Sequence, residues 1–317
     1  MLTPLDAPVW PAPVFGRTVA AVVSTALVVN PEASRLGAVN AVLWGRGSGG
    51  HHVRGFRGPL SLKCVLRGRW VWETHEGRHA LDEGSWLMLN DGRPYSLTIE
   101  RGRPVETFCL FFARGYVEGL KASLVRADHA LLDDPKEAQD GQTFREVRRP
   151  HGPPVTTEIL ALREALDRHE EPLVVEERLL TLSRALLATE VDLGRAAARL
   201  PAVRLSTREE LLRRLLRARI FAEEALGEPL SLARVAREAA LSPFHFHRLF
   251  RSAFGETPSA FIRRRRLERA REALLSTDKP VTEICLDAGF SSLGSFSTLF
   301  RARFGASPRQ LRPSGRS

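Results

Sequence analysis

Phe246-His-Arg-Leu-Phe-Arg-Ser-Ala-Phe-Gly-Glu-Thr-Pro258 returns fifty residues later as Phe296-Ser-Thr-Leu-Phe-Arg-Ala-Arg-Phe-Gly-Ala-Ser-Pro308. Seven of the thirteen positions are identical. Upstream the match continues with an offset of 49, pairing Leu232/Val281, Val235/Ile284, Ala236/Cys285, Ala239/Ala288 and Ala240/Gly289. One residue has been added in the connecting turn of the second copy. A unit present twice is a duplicated motif, because a solenoid needs at least about three repeats to bury a continuous core.

Each copy follows one logic. A short helix carries small residues, Ala236 and Ala239 or Cys285 and Ala288, which let a second helix cross at close range. A turn follows at Leu241-Ser242 or Phe290-Ser291, with serine placed to cap the next helix. That helix buries Phe246, Leu249 and Phe250, or Phe296, Leu299 and Phe300, at i, i+3, i+4 spacing. Gly255 or Gly305 ends it in a left-handed cap. Thr257-Pro258 and Ser307-Pro308 then restart a helix, with a hydroxyl cap and proline at the first helical position. This pattern is a helix-turn-helix, whose second helix keeps an outer face free for a DNA major groove.

Charge points the same way. The 317 residues include 47 Lys+Arg and 37 Asp+Glu, a net of +10. Residues 1–203 hold 25 basic and 25 acidic side chains, whereas 204–317 hold 22 and 12, so the whole excess sits in the duplicated region. A basic excess confined to one domain implies a polyanion partner. The three cysteines, Cys64, Cys109 and Cys285, are widely spaced and form no Cys-x-x-Cys pair. That argues against a disulfide framework or zinc knuckle and for a reducing, cytoplasmic setting. No apolar run reaches about 18 residues, so no membrane span is expected.

The first half reads as β. Val39–Trp44, Leu60–Leu66, Trp70–Glu73, Ser85–Leu89, Tyr95–Ile99 and Val105–Phe112 are short, rich in β-branched or aromatic residues, and separated by turn signals. Such spacing predicts a sandwich or barrel. Val19–Val29 is expected as a strand, and Gly45–Gly50 as a loop, since no helix follows to make it a phosphate cradle. Helical periodicity then predicts helices near 156–170 and 173–191, separated by Pro172. The Ala- and Arg-rich stretch with Pro201 reads as a linker over 194–205, and Ser206 or Thr207 is expected to cap a helix through about Leu226, with Glu209 and Glu210 in its first turn. The expected fold is α+β in two domains. Residues 1–193 form an antiparallel β-domain plus two helices, and 206–317 an all-α domain with helix-turn-helix units at about 230–255 and 281–305.

Leu230 to Leu311 resembles the DNA-binding domain of the AraC/XylS family of bacterial transcription regulators. The signatures are Ser242-Pro-Phe-His-Phe-His-Arg-Leu-Phe-Arg, Arg266-Leu-Glu-Arg-Ala-Arg-Glu-Ala-Leu-Leu-Ser, and Ile284 to Pro308 with its Ala288-Gly-Phe-Ser-Ser. The resemblance implies two helix-turn-helix units joined by one helix, reading adjacent major-groove segments of double-stranded DNA. It places Phe244, His245, His247 and Arg248 at base edges, with Arg248 able to fork onto guanine O6 and N7. Ser242 and Arg251 are the matching phosphate contacts. In the second unit the corresponding positions are Leu293, Gly294, Ser295 and Thr298, with Ser292 and Arg301 on the backbone. Longer polar side chains are usual there, so the first unit is expected to carry most sequence readout and the second to position the protein. Arg263 to Arg266 cannot share one helix face at about 100° per residue, so one or two are expected at phosphates and the others beside Glu268 or solvent.

The β-rich half is similar to the cupin-type sensor domain found upstream of this DNA-binding domain. The carrying stretches are Val65-Leu-Arg-Gly-Arg-Trp-Val-Trp-Glu and Leu81-Asp-Glu-Gly-Ser-Trp-Leu-Met-Leu-Asn-Asp-Gly-Arg-Pro-Tyr95. Trp70, Trp72, Trp86 and Tyr95 are candidates to line an effector pocket, with core packing as the other explanation. No metal or other cofactor is expected. His51 and His52 are adjacent and point to opposite faces of a strand, Tyr95 stands where the resemblance expects a later His, and His75 and His79 flank a turn. The resemblance also implies RNA polymerase as a partner, an unknown small-molecule effector, and a homodimer through the helices at 156–191. Two other classes fit the same residues: a metal-dependent cupin enzyme tethered to DNA, and an effector-independent co-regulator whose barrel only dimerises.

Overall fold

The computed structural model describes residues 27–47, 51–83, 85–99, 104–128, 143–150, 152 and 154–312. They fall into two units, Met1–Asp192 and Leu193–Ser317. Most of the expected strand Val19–Val29 lies outside the described residues, and its last three form β1 (Leu27–Val29). The first unit continues with β2 (Asn40–Gly47), β3 (His51–Arg57), β4 (Ser61–Arg67), β5 (Arg69–Thr74), β6 (Gly77–Asp82), β7 (Ser85–Leu89), β8 (Pro94–Ile99), β9 (Val105–Phe111), α1 (Tyr116–Asp128), β10 (Arg149–Pro150), α2 (Val155–Asp167) and α3 (Pro172–Ala198). Six strands make one sheet in the order β1-β2-β9-β4-β7-β10, and four make another in the order β3-β8-β5-β6.

Side-chain alternation sorts the six-stranded sheet into two faces. Ala41, Val65, Leu87, Leu89, Cys109 and Phe111 pack with Trp72, Leu81 and Tyr95 of the four-stranded sheet, forming the core between the sheets. Val42, Leu62, Cys64, Trp86, Met88, Phe108 and Leu110 point the other way, onto apolar faces of α1, α2 and α3. The helices expected to offer a dimer face therefore spend most of that face on this sheet. Leu160, Leu173 and Val191 remain exposed.

Several expectations need correction. Gly45–Gly47 is strand, not loop, because β2 pairs with β9 as far as Gly47↔Val105. Residues 48–50 lie outside the described set. Strands β3 and β6 and helix α1 were not anticipated. In β3 a register shift between Val53 and Phe56, with Gly55 at φ 60°, breaks the alternation that marks a strand. Trp86 does not line the space between the sheets. It neighbours the inward Leu87 and so faces α1–α3, with the Arg149 guanidinium 5.0 Å from its ring centre.

The second unit is helical: α4 (Leu205–Glu224), α5 (Leu232–Glu238), α6 (Pro243–Phe254), α7 (Pro258–Ser276), α8 (Val281–Asp287), α9 (Leu293–Phe304) and α10 (Pro308–Leu311). Helix α3 runs to Ala198, into the stretch expected as linker, because Ala and Arg are strong helix formers and Pro201 interrupts only beyond them. Helix α4 starts ahead of Ser206 and Thr207. Its N-cap is Arg204, with no side-chain cap and no acid in the first turn, at an end where water can satisfy the free N–H groups. No helix among the described residues is long and apolar enough to cross a membrane.

Candidate nucleic-acid interface

Both helix-turn-helix units are built by the same local rules. Helix α5 ends in a residue at positive φ, Ala240 at 50°. Leu241 N–H then donates to Ala236 O (3.1 Å) and Ala240 N–H to Arg237 O (2.9 Å). Helix α8 ends likewise, with Gly289 at φ 82°, Phe290 N–H on Cys285 O (3.0 Å) and Gly289 N–H on Leu286 O (2.8 Å). These bonds form a Schellman cap, which satisfies the last carbonyls and turns the chain sharply into the second helix. Ala236, Ala239, Cys285 and Ala288 are all buried at the crossings, as close helix approach requires.

The second helices start on serine caps. Ser242 accepts from His245 N–H at 3.3 Å, and Pro243 takes the first helical position. In the second copy the cap is Ser292, accepting from Ser295 N–H at 3.4 Å. Ser291, expected as the cap, is the added residue of the longer turn. Phe246, Leu249, Phe250 and Ala253 form the buried face of α6, and Phe296 and Phe300 anchor that of α9. Leu299 is only half-buried. Gly255 and Gly305 end the two helices at φ 75° and 76°.

The outer faces differ. At about 100° per residue, Phe244, His247, Arg248 and Arg251 share the side of α6 opposite its buried face. Phe244 is 80% exposed, Arg248 and Arg251 are exposed, and His247 is half-buried. Together with Ser252 these four line a shallow open groove of about 490 Å³. His245 sits on the flank, half-buried beside the cap. On α9, Leu293, Gly294, Ser295, Thr298 and Arg301 are exposed. The Thr298 hydroxyl donates back to Gly294 O at 3.0 Å, so it is already engaged within its own helix.

Residues 235–314 match a family model described as a helix-turn-helix domain. Over 257 residues the chain is 27% identical to the virulence regulon transcriptional activator VirF of Yersinia enterocolitica, an alignment covering 79% of this chain and 88% of that one. Over 90 residues it is 40% identical to the HTH-type transcriptional activator RhaS of Escherichia fergusonii, covering 28% of this chain and 32% of that one. The crystal structure of an AraC-type transcriptional regulator from Chromobacterium violaceum shares 36% identity, covering 31% of this chain and 88% of that one, with a TM-score of 0.30. The chain is a DNA-binding transcription regulator whose C-terminal domain is similar to those of AraC-type regulators.

In this regulator the run of four arginines serves mainly the scaffold. Arg264 pairs with Glu256 (2.8 Å) and Glu268 (3.2 Å). Arg265 pairs with Glu268 (2.8 Å) and Glu223 (3.4 Å). Arg266 donates to Leu226 O (2.8 Å) and Glu228 O (2.7 Å), tying α7 to the end of α4. Burial opposes ionisation of Glu268, but hydrogen bonds from Arg265 and Arg264 hold its carboxyl below the usual carboxylate range. Arg303 reaches the same carboxylate at 3.3 Å, linking α9 to this hub. Arg263 alone of the four is exposed, and among the described residues it has no acidic partner. Sequence reasoning also missed Arg199. Its carbonyl accepts from the Ser252 hydroxyl at 2.6 Å, and its guanidinium donates to Ala253 O at 3.3 Å, so the residues after α3 bind the C-terminal end of α6. No periodic signal marks such a contact in an Ala- and Arg-rich stretch.

Among the described residues no three His, Cys, Asp or Glu side chains are grouped to hold a metal ion. His52 is exposed and bonded to Thr98, His75 lies against Glu76 and Glu146, and His79 meets Thr74. The side chain of His51 lies outside the described residues. Of the candidate effector residues, Trp70, Trp72 and Tyr95 gather between the sheets.

Proposed function

We propose that this regulator binds promoter DNA sequence-specifically, with α6 as the main reader and α9 chiefly fixing register on the next groove. The observation that carries this is the contrast between the outer faces. Beside the equivalent Arg251 and Arg301, helix α6 presents Phe244, His247 and Arg248 together, whereas α9 offers a leucine, a glycine and two short hydroxyls. Arg248 can make the two-pronged bond to a guanine, and Phe244 can cover a thymine methyl. His245 and His247 contact a base or phosphate at the edge of the footprint. Leu293, Ser295 and Thr298 reach at most single base edges. Ser242, Arg251, Ser292 and Arg301 contact phosphates, which position the protein but carry no sequence information.

In the same reading the first unit is a cupin-like sensor that also pairs two copies, and the residues at 194–205 connect it to the DNA-binding unit. A small effector between the sheets changes how the DNA-bound protein engages RNA polymerase in the cytoplasm, with no catalytic step. Selecting bound duplexes from a random pool, then measuring binding with each base substituted, tests the readout. The expected result is strong preference across the α6 segment and weak preference across the α9 segment. Equal preference in both overturns it.

A further inference from the structure

Lys63 lies on β4 opposite Leu87 of β7, so its side chain points between the sheets rather than toward α1–α3. It is only 2% exposed. Its ammonium sits 3.7 Å from the centre of the Phe111 ring and 5.1 Å from that of Tyr95, which belongs to the opposite sheet. Aromatic faces attract a cation but accept none of the three hydrogen bonds that an ammonium offers. Among the described residues no carboxylate or other acceptor meets it. The nearby acids do not fill the gap: burial pushes the Cys109 thiol up, against the pull of Lys63, and pushes the Tyr95 phenol well up, so both stay neutral. Burial also pushes Lys63 itself down to about 8, which leaves it mainly charged at neutral pH.

The same interior holds other polar atoms without partners. The Trp70 and Trp72 indole nitrogens and the Ser61 hydroxyl are buried and make no hydrogen bond. The two rings lie side by side, 5.2 Å between centres, on the four-stranded sheet. Ser61 pairs with Leu89 and Phe111, both inward-facing, so it shares the inner face with Lys63. The ammonium and the indoles only donate, and the hydroxyl can donate as well. Buried donors left open in this way cost free energy until an acceptor arrives. Around them the walls are apolar: Trp72, Tyr95, Phe111 and the half-buried Leu43 and Leu97.

We infer that the interior between the sheets binds a small organic monocarboxylate, its carboxylate on Lys63 and its apolar body along the aromatic walls. A carboxylate supplies acceptors only and one negative charge, which is the complement of this donor set. The inference rests on reading the first unit as the sensor and names the chemical class of its effector.

The test uses the full chain with benzoate, phenylacetate, hexanoate and decanoate, each beside its uncharged primary amide. Thermal melting and isothermal titration are read on the wild type and on Lys63→Met. At least one acid is expected to raise the melting temperature of the wild type and to bind it about tenfold more tightly than its amide. Lys63→Met keeps the volume and loses the charge, so that preference should fall to about onefold. No shift with any acid, equal binding of acid and amide, or an undiminished preference in Lys63→Met overturns the inference. The comparison of acid with amide on the wild type stands even where the variant fails to fold. Binding of selected promoter duplexes by the wild type is measured alongside. Its loss counts against the regulator reading, whereas amides binding as well as acids leave the sensor intact and reject only the carboxylate.

Discussion

The two helix-turn-helix units have nearly the same interior and different exteriors. In α6 the Phe246–Phe250 and Phe250–Phe254 ring centres are 5.4 and 4.7 Å apart, and in α9 the Phe296–Phe300 and Phe300–Phe304 centres are 5.5 and 4.7 Å apart. Both helices begin on serine and end on a left-handed glycine. Outside, Arg248 faces solvent where Thr298 bonds to its own backbone. Packing tolerates little change in volume, so a duplicated core stays alike, whereas an exposed side chain costs little to replace. A repeated fold therefore does not imply repeated readout.

The largest test of the shared interior is Phe250→Ala against Phe300→Ala. Each removes a fully buried ring and should cost about 3–5 kcal/mol in the denaturant-induced loss of helical circular dichroism. A gap above about 2 kcal/mol would break the equivalence of the cores. The turns offer a sharper contrast. A Cβ on Gly289 would lie 2.3 Å from Leu226 O and 2.8 Å from the Arg266 guanidinium, at a φ of 82°. Gly289→Ala should therefore lose about 2–4 kcal/mol by the same measurement. The equivalent Ala240 already sits at φ 50°, so Ala240→Gly trades relief of strain against chain entropy and should change stability by less than about 1 kcal/mol.

The exteriors are compared through DNA affinity. Arg248→Ala should cost about 1–3 kcal/mol and relax preference at one base pair. Thr298→Ala should cost less than about 0.5 kcal/mol, because its hydroxyl already has a partner. Fluorescence anisotropy on an operator and its base-substituted versions reads both, and equal losses would erase the asymmetry. The last effect is the symmetric one. Arg251→Ala and Arg301→Ala should each weaken binding evenly across sequences and lower the slope of log affinity against log salt by about one.

How much of this was legible depends on how local each cause is. The duplicated units read clearly because their signals lie within a few residues: Phe at i and i+4, a serine cap, a closing glycine. The β-rich unit read less well. Strand β3 hides behind the irregularity at Gly55, and β6 has only Ala80 and Leu81 as apolar residues. Trp86 was placed on the wrong face because a one-residue choice of phase reverses a strand, and only its neighbour Leu87 in the assembled core settles it. Of the four arginines one or two were expected at phosphates and the others beside Glu268 or solvent, and three bind carboxylates or carbonyls from α4, α7 and the segments after α4 and α6.

The amino-acid sequence alone determined the duplication, the serine cap and closing glycine of α6, the confinement of excess charge to residues 204–317, and the resemblance to a regulator family. All of these follow from short-range pattern and composition. Tertiary structure decided which positive charges remain free, because a charge is spent or available only according to what the fold brings beside it. It also decided that Lys63, unremarked in the chain, is a buried donor between two sheets. Nothing within β4 marks the lysine for that role, and only the closure of Tyr95 and Phe111 around it removes the water that would otherwise satisfy it.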